Sequence, residues 1–322
     1  MTHSVPDGRT LGARLKQGDL DVAPAVLNLV ENRSPAAQEQ TGALLAAVSP
    51  AQLGREARAH IVGITGPPGV GKSSLLSRLV AEWRGRGRSV AVLAVDPSSR
   101  RSGGSLLGDR ARIETDPSDG AVFIRSTAAG TRLGGLAPAT RAAASALAAA
   151  FDVVVVETVG VGQSETEVAD VADTVAVVVQ PGAGDVLQFL KAGIMEIPDV
   201  LVVTKADLHD IARRAVADLQ AALRALGATA TAVLAVSSVA PPTGIAELAA
   251  ALEAHRAGLD LRRRRLRARR MHALEDFVTE YGERGLRALG GRRHAERWLA
   301  EQDPDLDVAA LEHRLAERAH GP

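Results

Sequence analysis

Residues 66–73 read Gly66-Pro67-Pro68-Gly69-Val70-Gly71-Lys72-Ser73. An apolar run at residues 61–64 precedes this stretch, and a helical pattern at residues 75–80 follows it. A strand, a G-x-x-x-x-G-K-[ST] loop and a helix in this order form the context in which such a loop cradles phosphate groups. The glycines let successive backbone N–H groups point inward, and the helix N-terminus adds partial positive charge. The stretch therefore predicts a phosphate-binding loop in an α/β domain.

The polar side chains of this loop predict how it would hold a triphosphate. Lys72 would bridge the outer phosphates, and the Ser73 hydroxyl would be offered to Mg²⁺. Only four of the 38 basic residues are lysines, so a retained lysine indicates a position that needs a compact ammonium. The predicted phosphate-contacting residues are Gly66, Pro67, Pro68, Gly69, Val70, Gly71, Lys72, Ser73 and Ser74.

Composition narrows the class of protein further. The 322 residues are 46% hydrophobic but only 2% aromatic, so the core must be built from alanine, valine and leucine. The formal net charge is zero, which argues against a nucleic-acid or membrane partner. The chain has no cysteine, and this excludes disulfides and thiolate metal sites. Without a signal peptide or an uncharged apolar run of about 18 residues, we expect a cytoplasmic protein with no membrane contact.

Residues 59–257 alternate short β-branched runs with helical patterns, which is typical of repeated βαβ units. Several runs are continuously apolar, as in strands that are buried on both faces. We predict an α/β fold of the P-loop NTPase type, in which helices flank a mostly parallel sheet. The expected strands are residues 61–65, 90–95, 122–125, 153–157, 175–180, 200–204 and 232–236, and the expected helices between them are residues 137–150, 186–197, 211–226 and 245–257.

Both ends of the chain carry helical patterns without strand signals. Residues 1–58 predict a helical N-terminal extension, and residues 258–322 predict a helical C-terminal arm that is a reasonable place for a subunit contact. The arm should contain helices at residues 271–289, 294–299 and 308–318. Seven arginines lie between Arg262 and Arg270. Because no aromatic residues are interleaved with them, we interpret this run as the solvated face of a helix.

A carboxylate ends one of the buried strands. Glu157 follows the valine run at residues 153–156, and Gly160 comes three residues later. An acid at this place holds Mg²⁺ directly or through its water shell. The backbone N–H of Gly160 would be free to approach a γ-phosphate, and Gln163 is a candidate for orienting the attacking water. These residues predict a metal-dependent hydrolytic site.

A later strand ends in the segment Thr204-Lys205-Ala206-Asp207, which fits the guanine-reading pattern [NT]-K-x-D. Asp207 can accept hydrogen bonds from guanine N1–H and the N2 amino group, which adenine does not offer. The Lys205 stem can lie over the base plane, and Thr204 stands where asparagine is more usual. The next strand ends in a stretch whose backbone amides could close over the base, namely Ser237, Ser238 and Val239.

Two aspartates flank a Gly/Ser-rich segment that suits a switch loop. Asp96 ends a predicted strand on the phosphate side, and Asp109 follows the stretch Gly103-Gly104-Ser105. Either carboxylate could reach Mg²⁺. Asp109 could equally serve as a helix N-cap, because aspartate is one of the residues preferred there.

In this order and spacing, the motifs GITGPPGVGKSSL, VDPSS, SGGSLLGDR, VETVGVGQSE, QPGAGDVLQFLKAGIMEI and TKAD resemble the MeaB/ArgK family of P-loop GTPases. The resemblance extends from about residue 9 to residue 256. It implies a homodimeric GTPase that uses GTP and Mg²⁺ and acts as a chaperone for an adenosylcobalamin-dependent acyl-CoA mutase such as methylmalonyl-CoA mutase. GTP hydrolysis would then gate cofactor loading and protect or reactivate the mutase.

The resemblance also implies roles for particular residues. Asp96, Asp109 and Glu157 would surround the metal together with Ser73. The segment from Pro181 to about residue 191 would be a further switch that signals to the mutase, and Lys191 would swing toward the nucleotide as a catalytic residue. The C-terminal helices would form the dimerisation arm.

Three other functions compete with this interpretation. A metal-insertion GTPase of the nickel type needs a Cys/His metal store, and the chain has no cysteine. A scaffold that binds the mutase without hydrolysing GTP would not need the phosphate and metal residues, all of which are present. An ATP-dependent kinase would need a separate catalytic base for its substrate, and the sequence shows none.

Overall fold

The computed structural model describes residues 5–96, 113–128, 136–158, 164–182 and 198–320, without the side chains of residues 96 and 164–167. The chain divides into two compact units. One is Ala59–Leu259, and the other combines Met1–Arg58 with Asp260–Pro322. The two ends of the chain therefore contribute to one helical unit, which the sequence pattern does not indicate.

A parallel sheet of seven strands forms the framework of the first unit. All seven predicted strands are present, and their ends agree with the prediction to within one residue, except that β3 ends three residues later. The strands are β1 (His60–Thr65), β2 (Val90–Asp96), β3 (Val122–Ala128), β4 (Val153–Thr158), β5 (Thr174–Val179), β6 (Val200–Val203) and β7 (Ala232–Ala235). Their order across the sheet is β3-β2-β4-β1-β5-β6-β7, so the strand before the glycine loop lies at its centre.

Burial explains why the strands are continuous apolar runs. Every residue of β1, β4, β5 and β6 is buried, because helices cover both faces of the sheet. The edge strand β7 is half-exposed. In a parallel sheet the carboxyl ends of all strands lie along the same border, the carboxyl edge, so the loops after these strands gather there.

Twelve α-helices lie within the ranges that the structure describes. The predicted helices at residues 137–150, 211–226 and 245–257 and the three C-terminal ones are confirmed, while residues 186–197 lie outside the described residues. The helices are α1 (Gly8–Lys16), α2 (Ala23–Glu31), α3 (Pro35–Ala47), α4 (Pro50–Leu53), α5 (Lys72–Gly85), α6 (Pro138–Leu147), α7 (Ser164–Val171), α8 (Asp210–Ala225), α9 (Ile245–Ala257), α10 (Leu261–Ala288), α11 (Arg292–Ala300) and α12 (Val308–His320).

The arginine run at the start of α10 is only partly the solvated face that the sequence predicts. Arg269 makes a bidentate ion pair with Glu56, and the two side chains are only 13% and 11% exposed. The Arg265 guanidinium donates to the Ala57 carbonyl at 2.6 Å. A guanidinium has several donors in a planar fork, so these arginines can satisfy a carboxylate and backbone carbonyls together. The run therefore joins the two ends of the chain inside the second unit.

None of the described helices is both long enough and apolar enough to cross a membrane. The longest, α10, carries the arginine run at its start. Its later part is amphipathic and packs with α11 and α12 around Leu274, Phe277 and Leu311.

Three carboxylates meet on this helical unit. Glu312 of α12 is half-buried and faces Asp276 and Glu280 of α10. Burial, followed by the negative charge of Asp276 and a hydrogen bond that the protonated Glu312 donates to Glu280, raises the pKa of Glu312 from 4.5 to about 7. The folded protein therefore binds this proton more tightly than the unfolded chain. The stabilisation is complete below the unfolded pKa and is lost as the pH rises through about 7.

We expect Glu312→Gln to raise the melting temperature at about pH 8.5 much more than at about pH 5, because glutamine keeps the neutral state that the fold prefers. Thermal unfolding across this pH range measures the effect. Glu296→Gln is the matched control, since Glu296 is an exposed glutamate of the same helical unit. Equal pH profiles for the two variants would contradict the assignment.

Candidate nucleotide site

The glycine loop leaves β1 along a path that only glycine allows. Gly66 has a φ of 143°, and a Cβ atom there would lie 2.1 Å from the carbonyl oxygen of Val178 on β5. Gly71 has a φ of 98° and forms the N-cap of α5. The loop therefore curls tightly against the sheet and places the N-terminus of α5 at the carboxyl edge.

Lys72 is held across the base of this loop. Its side chain is 7% exposed, and its ammonium donates to the carbonyl of Gly66 at 2.6 Å and to that of Pro67 at 3.1 Å. The neighbouring Pro68 and Gly69 are exposed. A buried cation beneath a helix N-terminus creates strong positive potential, so the loop is suited to a phosphate chain.

Two oxygen ligands meet beside the loop. Glu157 lies opposite Ile64 of β1 and Ala94 of β2, near the carboxyl ends of the strands. The Ser73 hydroxyl donates to its carboxylate across 3.4 Å, and Glu157 is only 5% exposed. A carboxylate and a hydroxyl are the hard oxygen donors that Mg²⁺ prefers, so this pair fits a magnesium ion.

Thr204 links the phosphate loop to strand β5. Its hydroxyl lies 2.7 Å from the carbonyl of Val70 and 3.1 Å from that of Val179, and the residue is 4% exposed. The hydroxyl hydrogen is therefore committed to protein carbonyls rather than to a base. Thr204 fastens the phosphate loop to the ends of β5 and β6.

One hydrogen-bonded group contains three of the predicted base-reading residues, Asp207, Ser237 and Val239. The Ser237 hydroxyl donates to Asp207 Oδ1 at 2.7 Å and accepts from the Val239 N–H at 3.2 Å. The Ala206 N–H donates to the carbonyl of Val236 at 3.0 Å. The serine hydrogen bond lowers the pKa of the exposed Asp207. The carboxylate is thus oriented and kept ionised, as an acceptor of two N–H groups must be.

Three contacts at this edge were not anticipated from the sequence. Ser77 donates to the Ser73 carbonyl at 3.0 Å and accepts from the Glu114 N–H at 3.0 Å. Arg78 donates to the carbonyl of Ser238 at 3.1 Å. The spacing of four residues between Ser73 and Ser77 was the available signal, since hydroxyls on helices often bond to the carbonyl one turn earlier.

Asp109, Gly160, Gln163 and Lys191 lie outside the described residues, and so does the side chain of Asp96. The backbone of Asp96 ends β2 beside β4, on the same edge as Glu157. The other predicted residues lie on the loops after β1, β6 and β7 and at the end of β4.

The family model described as Methylmalonyl Co-A mutase-associated GTPase MeaB matches residues 23–286. The chain belongs to this family. The resemblance inferred from the sequence motifs is thereby confirmed.

Relatives of this MeaB-family chain are named as GTPases. A putative GTPase of Pyrococcus abyssi is 48% identical over 195 residues, which are 60% of this chain and 58% of the relative. The match thus spans less than two thirds of that relative's length. A probable GTPase of Mycobacterium tuberculosis is 42% identical over 253 residues, covering 76% of this chain and 74% of the relative.

A solved structure shows the same fold over the whole length of both chains. The crystal structure of an LAO/AO transport system kinase superimposes with a TM-score of 0.63 at 27% identity and covers 100% of each chain. This likeness and the seven-stranded sheet confirm the predicted fold class.

We expect Thr204→Val to lower the free energy of unfolding by about 1–3 kcal/mol, because it removes a buried donor from the Val70 carbonyl without changing volume. Urea unfolding measures the change. Thr279→Val is the matched control: the Thr279 hydroxyl bonds to the Glu275 carbonyl on an exposed helix surface. If both variants had the same free energy of unfolding, the Thr204 hydrogen bond to Val70 would not contribute to the stability of the fold.

Proposed function

We propose that this chain binds guanine nucleotides and hydrolyses GTP to GDP and phosphate. One observation carries the proposal: a phosphate loop with a buried lysine and an oriented aspartate occupy the same edge of one parallel sheet. Lys72 and Ser73 lie after β1, Glu157 lies on β4, and Asp207 follows β6. These are the parts that nucleotide binding, charge stabilisation and base selection require.

The described residues account for recognition of the two ends of the nucleotide. Loop amides and the Lys72 ammonium would hold the phosphates and stabilise the charge that develops on them during transfer. Asp207, held by Ser237, would accept hydrogen bonds from N1–H and the N2 amino group of guanine. Adenine has neither donor, so the arrangement selects guanine.

A magnesium ion fits the pair formed by Ser73 and Glu157. When bound, Mg²⁺ would neutralise charge on the outer phosphate oxygens. We assign Asp96 and Asp109 to the same metal on the basis of the family motifs. Gln163 is our candidate for orienting the attacking water, and Lys191 for assisting when a partner is bound. The sequence motifs mark no strong general base, so we expect intrinsic turnover to be slow.

Lys72→Ala is expected to reduce GTP hydrolysis by about 100-fold or more, because it removes a preorganised positive charge from the phosphate site. Phosphate release under saturating Mg²⁺ measures the rate. Lys16→Ala is the control, since the Lys16 ammonium donates to the Gln52 carbonyl in the helical unit. Wild-type turnover in the Lys72 variant would refute the phosphate assignment, and equal turnover of ATP would refute guanine selection.

We further propose that the chain acts as a homodimeric chaperone of an adenosylcobalamin-dependent acyl-CoA mutase, gating cofactor loading and protecting or reactivating the enzyme. The family description, which names methylmalonyl Co-A mutase, supports this partner. The rival metal-insertion function lacks support: the chain has no cysteine, and the described residues contain no group of three His, Asp or Glu suited to a metal.

Mixing the purified chain with purified methylmalonyl-CoA mutase should give a complex that elutes earlier than either protein, and the mutase should accelerate GTP turnover. Size-exclusion chromatography with light scattering measures the complex and the oligomeric state of the free chain. A complex that formed equally well with an unrelated acyl-CoA enzyme of similar charge would refute the specific partnership.

A further inference from the structure

Gln180 lies between the end of strand β5 and the segment at residues 204–207 that we expect to read the base. It directly follows β5, and its side-chain carbonyl accepts a hydrogen bond from the Lys205 ammonium. The two residues meet because β5 and β6 are paired up to Val179 and Val203, just before them. Gln180 begins the motif QPGAGD, and neither the nucleotide contacts nor the metal ligands above use its side chain.

Lys205 has a backbone conformation that needs support. Its φ of 55° and ψ of 43° are left-handed, which is uncommon for a residue with a side chain. The Thr204 N–H donates to the Val179 carbonyl at 2.9 Å, and the Ala206 N–H donates to that of Val236 at 3.0 Å. These two bonds hold the backbone on either side of Lys205. They leave its exposed, flexible side chain to be directed by Gln180.

We propose that Gln180 is a positioning residue for guanine recognition, acting through Lys205. By holding the ammonium, it keeps the lysine stem beside the place where Asp207 reads the base. A free lysine side chain loses rotamer freedom when it is ordered, and an arrangement formed in advance removes that cost from binding. The inference rests on the proposed binding of guanine nucleotides.

The test compares Gln180→Met, which keeps the length of the side chain and removes the acceptor, with Gln180→Glu, which keeps an acceptor. Gln220→Met is the matched control, because Gln220 is exposed on α8 of the same unit. Calorimetry measures Kd for GDP and for pyrophosphate, which has no base. Lys205→Ala and the double variant Gln180→Met/Lys205→Ala complete a double-mutant cycle.

Gln180→Met is expected to weaken GDP binding by about fivefold to tenfold, while pyrophosphate binding and the melting temperature stay unchanged. Gln180→Glu should remain within about threefold of the wild type, as should Gln220→Met. In the Lys205→Ala background, Gln180→Met should add no further loss, because its effect passes through the lysine.

Two results would overturn the inference while GDP still binds the wild type. The first is that Gln180→Met lowers GDP affinity by the same factor in the wild type and in the Lys205→Ala background. The second is that Gln180→Met lowers pyrophosphate affinity as much as GDP affinity. Absence of GDP binding by the wild-type chain would instead refute the proposed function itself, and this inference with it.

Discussion

The geometry of the candidate nucleotide site depends on how closely the backbone at Gly66 approaches β5. A side chain at this position would lie 2.1 Å from the Val178 carbonyl, so no other residue lets the chain turn here without displacing a central strand. Because the chain turns here, the Gly66 carbonyl lies 2.6 Å from the Lys72 ammonium, and α5 begins at the same edge. One backbone constraint thus brings together a cation, the N-terminus of a helix and the Ser73 hydroxyl.

Side chains then join loops that belong to different strands. Thr204 fastens the phosphate loop to β5 and β6, and Ser237 connects the loop after β7 to Asp207. Such bonds order the loops before a ligand arrives, which reduces the conformational entropy that binding would otherwise cost. The Thr204 bonds are buried and therefore shielded from competition with water, whereas the Ser237 bond to the exposed Asp207 is only partly buried.

The structural features that could be predicted from the sequence depend on local patterns, whereas those that could not depend on contacts between segments far apart in the chain. The seven strands were predictable because continuous apolar runs such as residues 153–156 report burial on both faces. The position of Glu157 near the carboxyl ends of the strands followed from its place after a valine run. The pairing of Arg269 with Glu56, over 200 residues earlier in the chain, has no local signal and turns a predicted solvated face into an internal contact.

The sequence by itself determined the parallel α/β fold, the phosphate loop and the family, because hydrophobic periodicity and a spaced glycine motif are local properties of the chain. Only the tertiary structure decided that Thr204 bonds to the loop carbonyl of Val70, that Gln180 holds Lys205, and that the two ends of the chain share one helical unit. A hydroxyl or an amide can bond to many partners, and the choice among them is made when distant segments are brought within about 3 Å of each other.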